Sequence, residues 1–258
     1  MLLFIAVFYQ SVFAQEALVI SQFKVREAKQ AVAVDKDNFY VINNSTIHKY
    51  EKKEGKLISS WDGEKEGIKH LNSGVVINGK MYCANSNYPE IPMASAIEIF
   101  DTKTMQHIDS RSFGISSHGS LTWLDQKDGF WYVGFAHYAG KEASEGRDVR
   151  WTTLVKYNLG WQEVEAWVFP KNMVEVFTPK SNSGGALATD GRLYLTGHDK
   201  PELYIMSLPE SGYTLKHIKT IQSSIHGQGV AIDHSIKGKL VIYGLNRETN
   251  TIIVEEIK

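Results

Sequence analysis

The histidines of this 258-residue chain are its side chains best suited to chemistry, and five of the nine stand directly beside short apolar stretches. An imidazole titrates near neutral pH, so it can act as a general acid, a general base or a neutral metal ligand. We therefore predict that these five histidines form a catalytic site. They are His70, His118, His137, His198 and His226.

A divalent metal ion is a second use for the same histidines. Three imidazoles with an amide side chain can hold a transition metal and leave one coordination position open. The candidate ligands are His70, His118 and His226. Neither a His-x-His nor a His-x-x-x-His pair occurs, so the geometry depends wholly on the fold. The alternative is that each histidine only packs and has no chemical role.

Polar and aromatic residues near these histidines are candidates for binding a substrate. Residues 137–152 are polar and charged, and they include two arginines and a tryptophan. Paired guanidinium groups can hold a carboxylate through two hydrogen bonds each. The alternative for this segment is a solvated surface loop without a role. The predicted substrate-binding residues are Asn72, Asn85, Arg147, Arg150, Trp151, Asn182 and Gln228.

The elements that must position these residues repeat along the chain. Five segments share one pattern, in which a short apolar strand, a turn and an aromatic-rich strand are followed by a third strand. Equivalent residues, counted from Ala31 to Gly229, are 43, 47, 65 and 43 residues apart. A period in the forties with several strands per unit is typical of propeller blades. The segments are residues 30–43, 73–85, 120–137, 185–198 and 228–246.

The repeat also predicts where the candidate residues meet. His118 and His226 stand just before a first strand, whereas His137 and His198 end a second strand. In a propeller these two places lie on the same face, so we expect all five histidines at one mouth of the central channel. Asn-Gly or Asp-Gly pairs at 78–79, 128–129 and 190–191 are typical of tight hairpins.

The ends of the sequence predict how the ring closes. From Gly229 only 30 residues remain, too few for a four-stranded blade of the usual length. Residues 16–25 read as a strand without a repeat of its own, so we expect it to complete the last blade and cover its edge. The predicted fold is all-β, a single five-bladed β-propeller over residues 15–258. Residues 139–147 are the only segment with helix-forming composition.

Composition excludes several classes of protein. The chain has 28 basic and 29 acidic residues and no Lys/Arg block, which excludes the charge pattern expected for nucleic-acid binding. Cys83 is the single cysteine, so neither an intramolecular disulfide nor a thiolate metal cluster can form. No Gly-x-Ser-x-Gly elbow, phosphate loop or dinucleotide fingerprint occurs.

The first 14 residues predict export. Residues 1–14 are almost wholly apolar, too short to span a bilayer, and end in small residues that suit a cleavage site. The alternative is a buried first strand, since no Lys or Arg precedes the apolar run. We therefore expect a secreted or periplasmic protein, monomeric and with no membrane contact once the signal peptide is removed.

Several motifs resemble those of secreted five-bladed β-propellers, among them uncharacterised bacterial proteins labelled cycloisomerase-like. Bacterial glutaminyl cyclases are similar in length, export and blade number, but the Phe-Thr-Gln-Gly type of opening expected there is not found. The resemblance implies a propeller fold and does not by itself imply a reaction. The motifs are residues 70–74, 85–92, 117–123, 134–138, 146–154, 181–186, 197–204 and 227–233.

Two functions fit these observations. The first is a lyase or cycloisomerase in which histidines handle protons or a metal while an arginine holds a small carboxylated sugar or acid. The second is a non-catalytic propeller that binds a carbohydrate or another small ligand by aromatic stacking. The aromatic residues available for stacking are Trp123, Trp131, Trp151, Tyr88 and Tyr138.

Overall fold

The computed structural model describes residues 16–258, which form five four-stranded antiparallel sheets. The predicted five-bladed propeller is therefore confirmed. The predicted signal peptide, residues 1–14, lies outside the described residues. No helix in the described part of the chain has the length and apolar character needed to cross a membrane.

The first described strand, β1 (Ala17–Lys24), belongs to the last blade, and blades 1 to 3 follow it in sequence order. Blade 1 contains β2 (Ala31–Val34), β3 (Asn38–Asn43), β4 (Thr46–Glu51) and β5 (Leu57–Asp62). Blade 2 contains β6 (Leu71–Ile77), β7 (Lys80–Ser86), β8 (Ala94–Asp101) and β9 (His107–Ile115). Blade 3 contains β10 (Ser120–Lys127), β11 (Phe130–Ala136), β12 (Thr153–Asn158) and β13 (Glu163–Val168).

The remaining strands form blades 4 and 5. Blade 4 contains β14 (Gly184–Leu187), β15 (Leu193–Thr196), β16 (Glu202–Ser207) and β17 (Lys216–Gln222). Blade 5 contains β18 (Ala231–Ile232), β19 (Leu240–Asn246) and β20 (Thr251–Ile257), with β1 as its outermost strand. The pairing of β1 with β20 runs from Ala17 opposite Ile257 to Lys24 opposite Thr251. This confirms the predicted closure of the ring.

The core consists of apolar clusters between neighbouring blades. Each of the five seams has one, including the seam between blade 5 and blade 1. The middle strands are buried on both faces because each sheet is packed between two others, which explains their continuous apolar runs. In β3, for example, Phe39 to Ile42 are all buried. The outer strands are more exposed, and β1 alternates between half-buried and exposed residues.

Two of the three predicted hairpin turns are confirmed. Asn78–Gly79 and Asp128–Gly129 both have positive φ at each residue, as a type I′ turn requires. The third is wrong as a two-residue turn, because Ala188 N donates to Arg192 O and only Gly191 has positive φ there.

The helical content differs from the sequence-based expectation. Residues 139–147 contain only a 3₁₀ turn, Gly140–Glu142, whereas the α-helix of the described chain is α1 (Lys171–Phe177). Met173 and Phe177 of α1 are buried in the cluster between blades 3 and 4. Tertiary packing therefore stabilises a helix that is too short to be stable alone.

Candidate functional site

A small polar cavity lies at one mouth of the central channel, and we call it the mouth cavity. All five blades contribute to it, through the residues at the start of their first strands, and three loops between second and third strands cover it. Its volume is about 60 Å³, room for about four waters or for one carboxylate and its neighbouring carbon. It is lined by Gln30, His70, Asn72, Tyr88, Thr122, Tyr138, Lys180, Ser183, His198 and Gln228.

The opposite end of the channel holds a larger cavity of about 250 Å³, the channel cavity. It is lined by the apolar first strands and by polar residues, among them Asp125 of β10 and the turn residues Asp35 and Asp233. Burial raises the pKa of Asp125, although its carboxylate accepts hydrogen bonds from Leu187 N and Gln126 N. Each of these aspartates accepts a hydrogen bond from a backbone N–H group.

His70 is the neutral imidazole of the mouth cavity. Its Nδ1 lies 2.9 Å from Asn44 Oδ1, and Gln30 Nε2 donates to the same oxygen at 2.9 Å. A carbonyl oxygen only accepts hydrogen bonds, so Nδ1 carries the proton and Nε2 keeps its lone pair. Burial lowers the His70 pKa to about 4, and a hydrogen bond with the Asn72 side chain opposes this effect. The ring is therefore uncharged at neutral pH.

Lys180 supplies the positive charge. Its Nζ donates to Tyr88 Oη at 3.2 Å and to Glu142 Oε1 at 3.1 Å. Burial alone would lower the Lys180 pKa, but these two hydrogen bonds raise it, so the ammonium group stays charged. An ammonium group has three N–H donors, which leaves one for a ligand. The same ion pair lowers the pKa of Glu142.

Aromatic rings form the cover of the mouth cavity. Tyr88 lies between His70 and Tyr138, with ring centroids 5.1 Å and 5.0 Å away, respectively. Tyr138 is buried, and burial raises its pKa, so its hydroxyl stays protonated. Tyr88 belongs to the β7–β8 loop and Tyr138 to the β11–β12 loop. The cover of the cavity is therefore made of loops, which can change position while the sheets stay the same.

His198 follows the second strand of blade 4, whereas His70 precedes the first strand of blade 2, yet both line the mouth cavity. His198 Nδ1 is 2.5 Å from Asp199 Oδ2, and Arg247 pairs with the other oxygen of that carboxylate. Burial would raise the Asp199 pKa, but His198 and Arg247 lower it overall. Gln228 Nε2 donates to His198 O at 2.9 Å, which ties the blade 4 loop to the start of blade 5.

The predicted site residues therefore divide into separate groups. His70, Asn72, His198 and Gln228 all line the mouth cavity, as the repeat predicts. Asn72 is also structural, because its Nδ2 donates to Leu121 O at 2.9 Å and so links blades 2 and 3.

The predicted catalytic residues His118 and His137 lie away from the mouth cavity, on blade 3. His118 Nε2 is 2.9 Å from Glu163 Oε1, on the outermost strand of that blade. His137 is 1% exposed, and its Nε2 donates to Ser117 O at 3.2 Å. Burial lowers the His137 pKa, and the charge of Arg147 adds to that effect. Neither residue lines the mouth cavity.

The arginines of the blade 3 loop, residues 137–152, are also engaged within the protein. Arg150 donates to the Asp148 carboxylate through Nε and Nη2, so its planar fork is already occupied. Arg147 donates to Ser117 O and lies over the Trp151 ring, 5.1 Å from its centroid. Trp151 is 50% exposed. None of the three lines the mouth cavity.

Three further predicted residues have structural contacts instead of a place in the cavity. Asn182 is buried, accepts from Trp123 Nε1 at 2.6 Å and donates to Gly184 O and Thr196 O. Asn85 Nδ2 donates to Glu98 Oε1 at 2.9 Å. His226 precedes blade 5, where its backbone N donates to Leu245 O, and its ring does not line the cavity.

The side chains that the structure brings together do not form the predicted metal site. His70, His118 and His226 are not brought together, and residues 16–258 contain no group of three or more His, Cys, Asp or Glu side chains that could hold a metal ion. His118 is paired with Glu163 instead, and His70 uses Nδ1 on Asn44.

Sequence reasoning missed Lys180 as a site residue. It directly precedes the residues that lead into blade 4, in the segment that follows α1. Its place just before the residues that lead into blade 4 was the only signal available, and that place alone does not bring a side chain into the cavity, as His118 shows. Tyr88 and Tyr138 were expected only as stacking residues, and the structure places both beside Lys180 or His70.

We expect the buried neutral His70 to make stability depend on pH. Its folded-state pKa of about 4 lies below the ordinary histidine value of 6.5, so between these pH values only the unfolded chain takes up the proton. The free energy of unfolding should therefore fall on acidification through this window, by about 2 kcal/mol after allowance for partial exposure. Urea unfolding at neutral pH and at about pH 4.5 measures it. His70→Gln should reduce the fall by that amount, whereas His217→Gln, on the outer strand β17, should leave it unchanged.

Known structures share this fold, although no known protein family and no curated protein matches the sequence. Glutaminyl cyclase from Myxococcus xanthus is 11% identical, with 95% of this chain and 97% of that chain covered and a TM-score of 0.64. The PQQ-bound aldose sugar dehydrogenase from Streptomyces coelicolor is 11% identical, with 95% and 99% covered and a TM-score of 0.57. Hydrazine synthase from Kuenenia stuttgartiensis is 10% identical, with 87% and 82% covered and a TM-score of 0.50.

These similarities define the class of protein and no more. The chain is a five-bladed β-propeller, and its structural neighbours include enzymes. At 10–11% identity they show the fold alone, so the chemistry must be argued from the mouth cavity itself.

Proposed function

We propose that this protein is an enzyme of the lyase or cycloisomerase class that moves a proton on a small carboxylated sugar or acid. The observation that carries the proposal is that a neutral imidazole, His70, and an ammonium group, Lys180, line the same cavity. Removal of a proton next to a carboxylate needs these two parts, a base and a fixed positive charge.

His70 is the proposed base. Asn44 fixes its tautomer, so Nε2 keeps the lone pair that accepts the proton. With a pKa of about 4 the free imidazole is unprotonated but weak as a base. A carboxylate bound nearby favours the charged imidazolium and so raises the pKa towards neutral pH. Substrate binding would thus strengthen the base when it is needed.

Lys180 is the proposed partner of the substrate carboxylate. Its remaining N–H donor can bind a carboxylate oxygen and stabilise the negative charge that develops when the proton leaves. Tyr88 and Glu142 hold the ammonium group in place, which reduces the conformational entropy lost on binding. The volume of about 60 Å³ suits the carboxylate end of a molecule, whose remainder would extend beyond the cavity.

The alternative function is a non-catalytic binding propeller. The neighbouring rings of Tyr88 and Tyr138 favour it, since they could stack on a sugar ring at the cavity. Ligand binding is common to both functions, and only the enzyme needs His70 to exchange a proton.

The proposal includes export and a monomeric state. The apolar residues 1–14 support removal of a signal peptide and a secreted or periplasmic location. The partner in that location would be a small carboxylated or carbohydrate molecule.

Hydrogen exchange into candidate substrates tests the enzymatic proposal. The protein is incubated in D₂O with a panel of sugar acids, lactones and unsaturated dicarboxylic acids, and NMR measures deuterium at the carbon next to the carboxylate. We expect exchange with at least one compound. His70→Gln should retain binding but slow the exchange by about 10²–10⁴-fold, as loss of a general base does.

Lys180→Met should instead weaken binding of that compound by about 10- to 100-fold, since a hydrogen bond to a charged group is lost. Lys171→Met, on an exposed side chain, and His217→Gln are the matched controls and should behave as wild type. Binding that depends on Lys180 without any exchange or turnover would establish the binding function instead. Unchanged binding and exchange in both mouth variants would refute the site.

A further inference from the structure

A groove of about 680 Å³ lies between blades 4 and 5, and it shares no lining residue with the mouth cavity. It lies between the β14–β15 turn and the β18–β19 turn, at the same end of the molecule as the channel cavity. Asp233 and His234 line both spaces and separate them. Its volume is within the range of about 300–1,000 Å³ that is usual for small-molecule sites.

Basic residues dominate the charge of this groove, although the whole chain carries a net charge of only −1. Its basic side chains include Arg192, Lys219, Lys237 and Lys239, and its acidic side chains are Asp190 and Asp233. We call this space the basic groove. The excess of positive charge is therefore local and is not a property of the sequence as a whole.

Both acidic residues are already neutralised. Asp190 pairs with Arg192 at 2.5 Å, which lowers the Asp190 pKa even though burial opposes it. Asp233 is buried and pairs with Lys52 of blade 1 at 2.5 Å. Neither carboxylate is thus available to the other cations of the basic groove.

The ammonium groups of Lys219, Lys237 and Lys258 remain without a counterion. Lys239 pairs with Glu256 at 2.8 Å, but these three lysines have no ion pair or side-chain hydrogen bond within residues 16–258. Lys219 is half-buried in the middle of β17, and Lys237 is exposed in the β18–β19 turn. Cations from two separate elements thus face one concave surface, which raises the positive potential more than isolated lysines on a convex surface would.

We propose that the basic groove binds a small anion with two or more carboxylate or phosphate groups. Lys219 and Lys237 supply the charge, and the Arg192 guanidinium, held by Asp190, borders the same space. A multivalent anion fits because the free cations come from different blades, so that two anionic groups can each meet one of them. This site is independent of the function proposed for the mouth cavity.

Calorimetric titration at low ionic strength tests the proposal, with citrate and pyrophosphate as the anions and acetate and glucose as comparisons. We expect citrate, pyrophosphate or both to bind, and acetate and glucose to bind at least about tenfold more weakly. Raising the salt to about 0.15 M should weaken the binding, because the site is open to solvent. Binding of only one anion would assign the site to carboxylates or to phosphates.

The double variant Lys219→Gln/Lys237→Gln should weaken binding by about tenfold or more. Its matched control, Lys53→Gln/Lys141→Gln, removes the same net charge from exposed positions elsewhere and should bind as wild type. Thermal melting of both variants checks that they fold. The proposal is overturned if neither anion binds at low ionic strength, or if the two double variants bind equally well.

Discussion

A chain that begins at Arg26, without β1, should fail to form a stable propeller. β1 pairs with β20 along its length, and its inward residue Phe23 packs on Phe39 of blade 1, with ring centroids 4.9 Å apart. The strand therefore both covers the edge of blade 5 and seals the seam through which the ring closes. The deletion removes the hydrogen bonds to β20, worth about 1 kcal/mol each, and the apolar burial of the strand. The loss in the free energy of unfolding therefore approaches the whole stability of a typical domain.

Thermal melting and far-UV circular dichroism measure this effect. We expect no cooperative transition, or a melting temperature at least about 15 °C below that of the intact chain. The substitutions Leu18→Ser and Ile20→Ser, on the outward face of β1, should cost little and serve as controls. A peptide of residues 16–25 added to the truncated chain should restore part of the stability by adding the missing strand. Melting within a degree or two of the intact chain would contradict the closure.

The second large effect is expected from Gly134→Ala in the middle of β11. A Cβ added there would lie 2.1 Å from Trp123 Nε1, and the Trp123 ring is fully buried. The ring cannot turn aside, because its Nε1 donates to Asn182 Oδ1 and Gly185 contacts its other side. We expect a loss of about 3 kcal/mol or more in the free energy of unfolding, at the upper end of the usual cost of overpacking.

Urea unfolding measures this loss, with Gly160→Ala as the control. Gly160 lies in the exposed β12–β13 turn, where a new Cβ would meet only Asn158 Oδ1 at 3.3 Å. A second variant, Gly134→Ala with Trp123→Leu, should lose less than the sum of the two single changes, since removing the ring removes the clash. Additive losses would show that the clash is not the cause.

The sequence predicted the site only in part, and the histidines show why. His70 and His198 reach the mouth cavity because the backbone at those places in the repeat leads there. His118 occupies an equivalent place, yet its ring pairs with Glu163, which is 45 residues away in sequence. The repeat predicts where a Cα lies. It does not predict which of several rotamers a side chain adopts among neighbours from other strands.

Lys180 shows the same limit of sequence-based prediction, because it is a site residue that the sequence did not predict. Its partners Tyr88 and Glu142 belong to loops of blades 2 and 3, which carry no repeat signal. Loop conformation depends on contacts distant in sequence, so composition gave no indication of this ion pair. α1 was missed for a related reason, since Met173 and Phe177 become helical only against the cluster between blades 3 and 4.

The number of blades, the order of their strands and the closing role of β1 were determined by the sequence alone, because hydrophobic periodicity and turn residues are local signals that recur with each repeat. Which polar side chains share one cavity was decided only by the tertiary structure. His70, Lys180 and Tyr88 come from three different connections and meet at the axis because five sheets close into a ring. That closure fixes distances between residues far apart in the chain, and no local pattern encodes them.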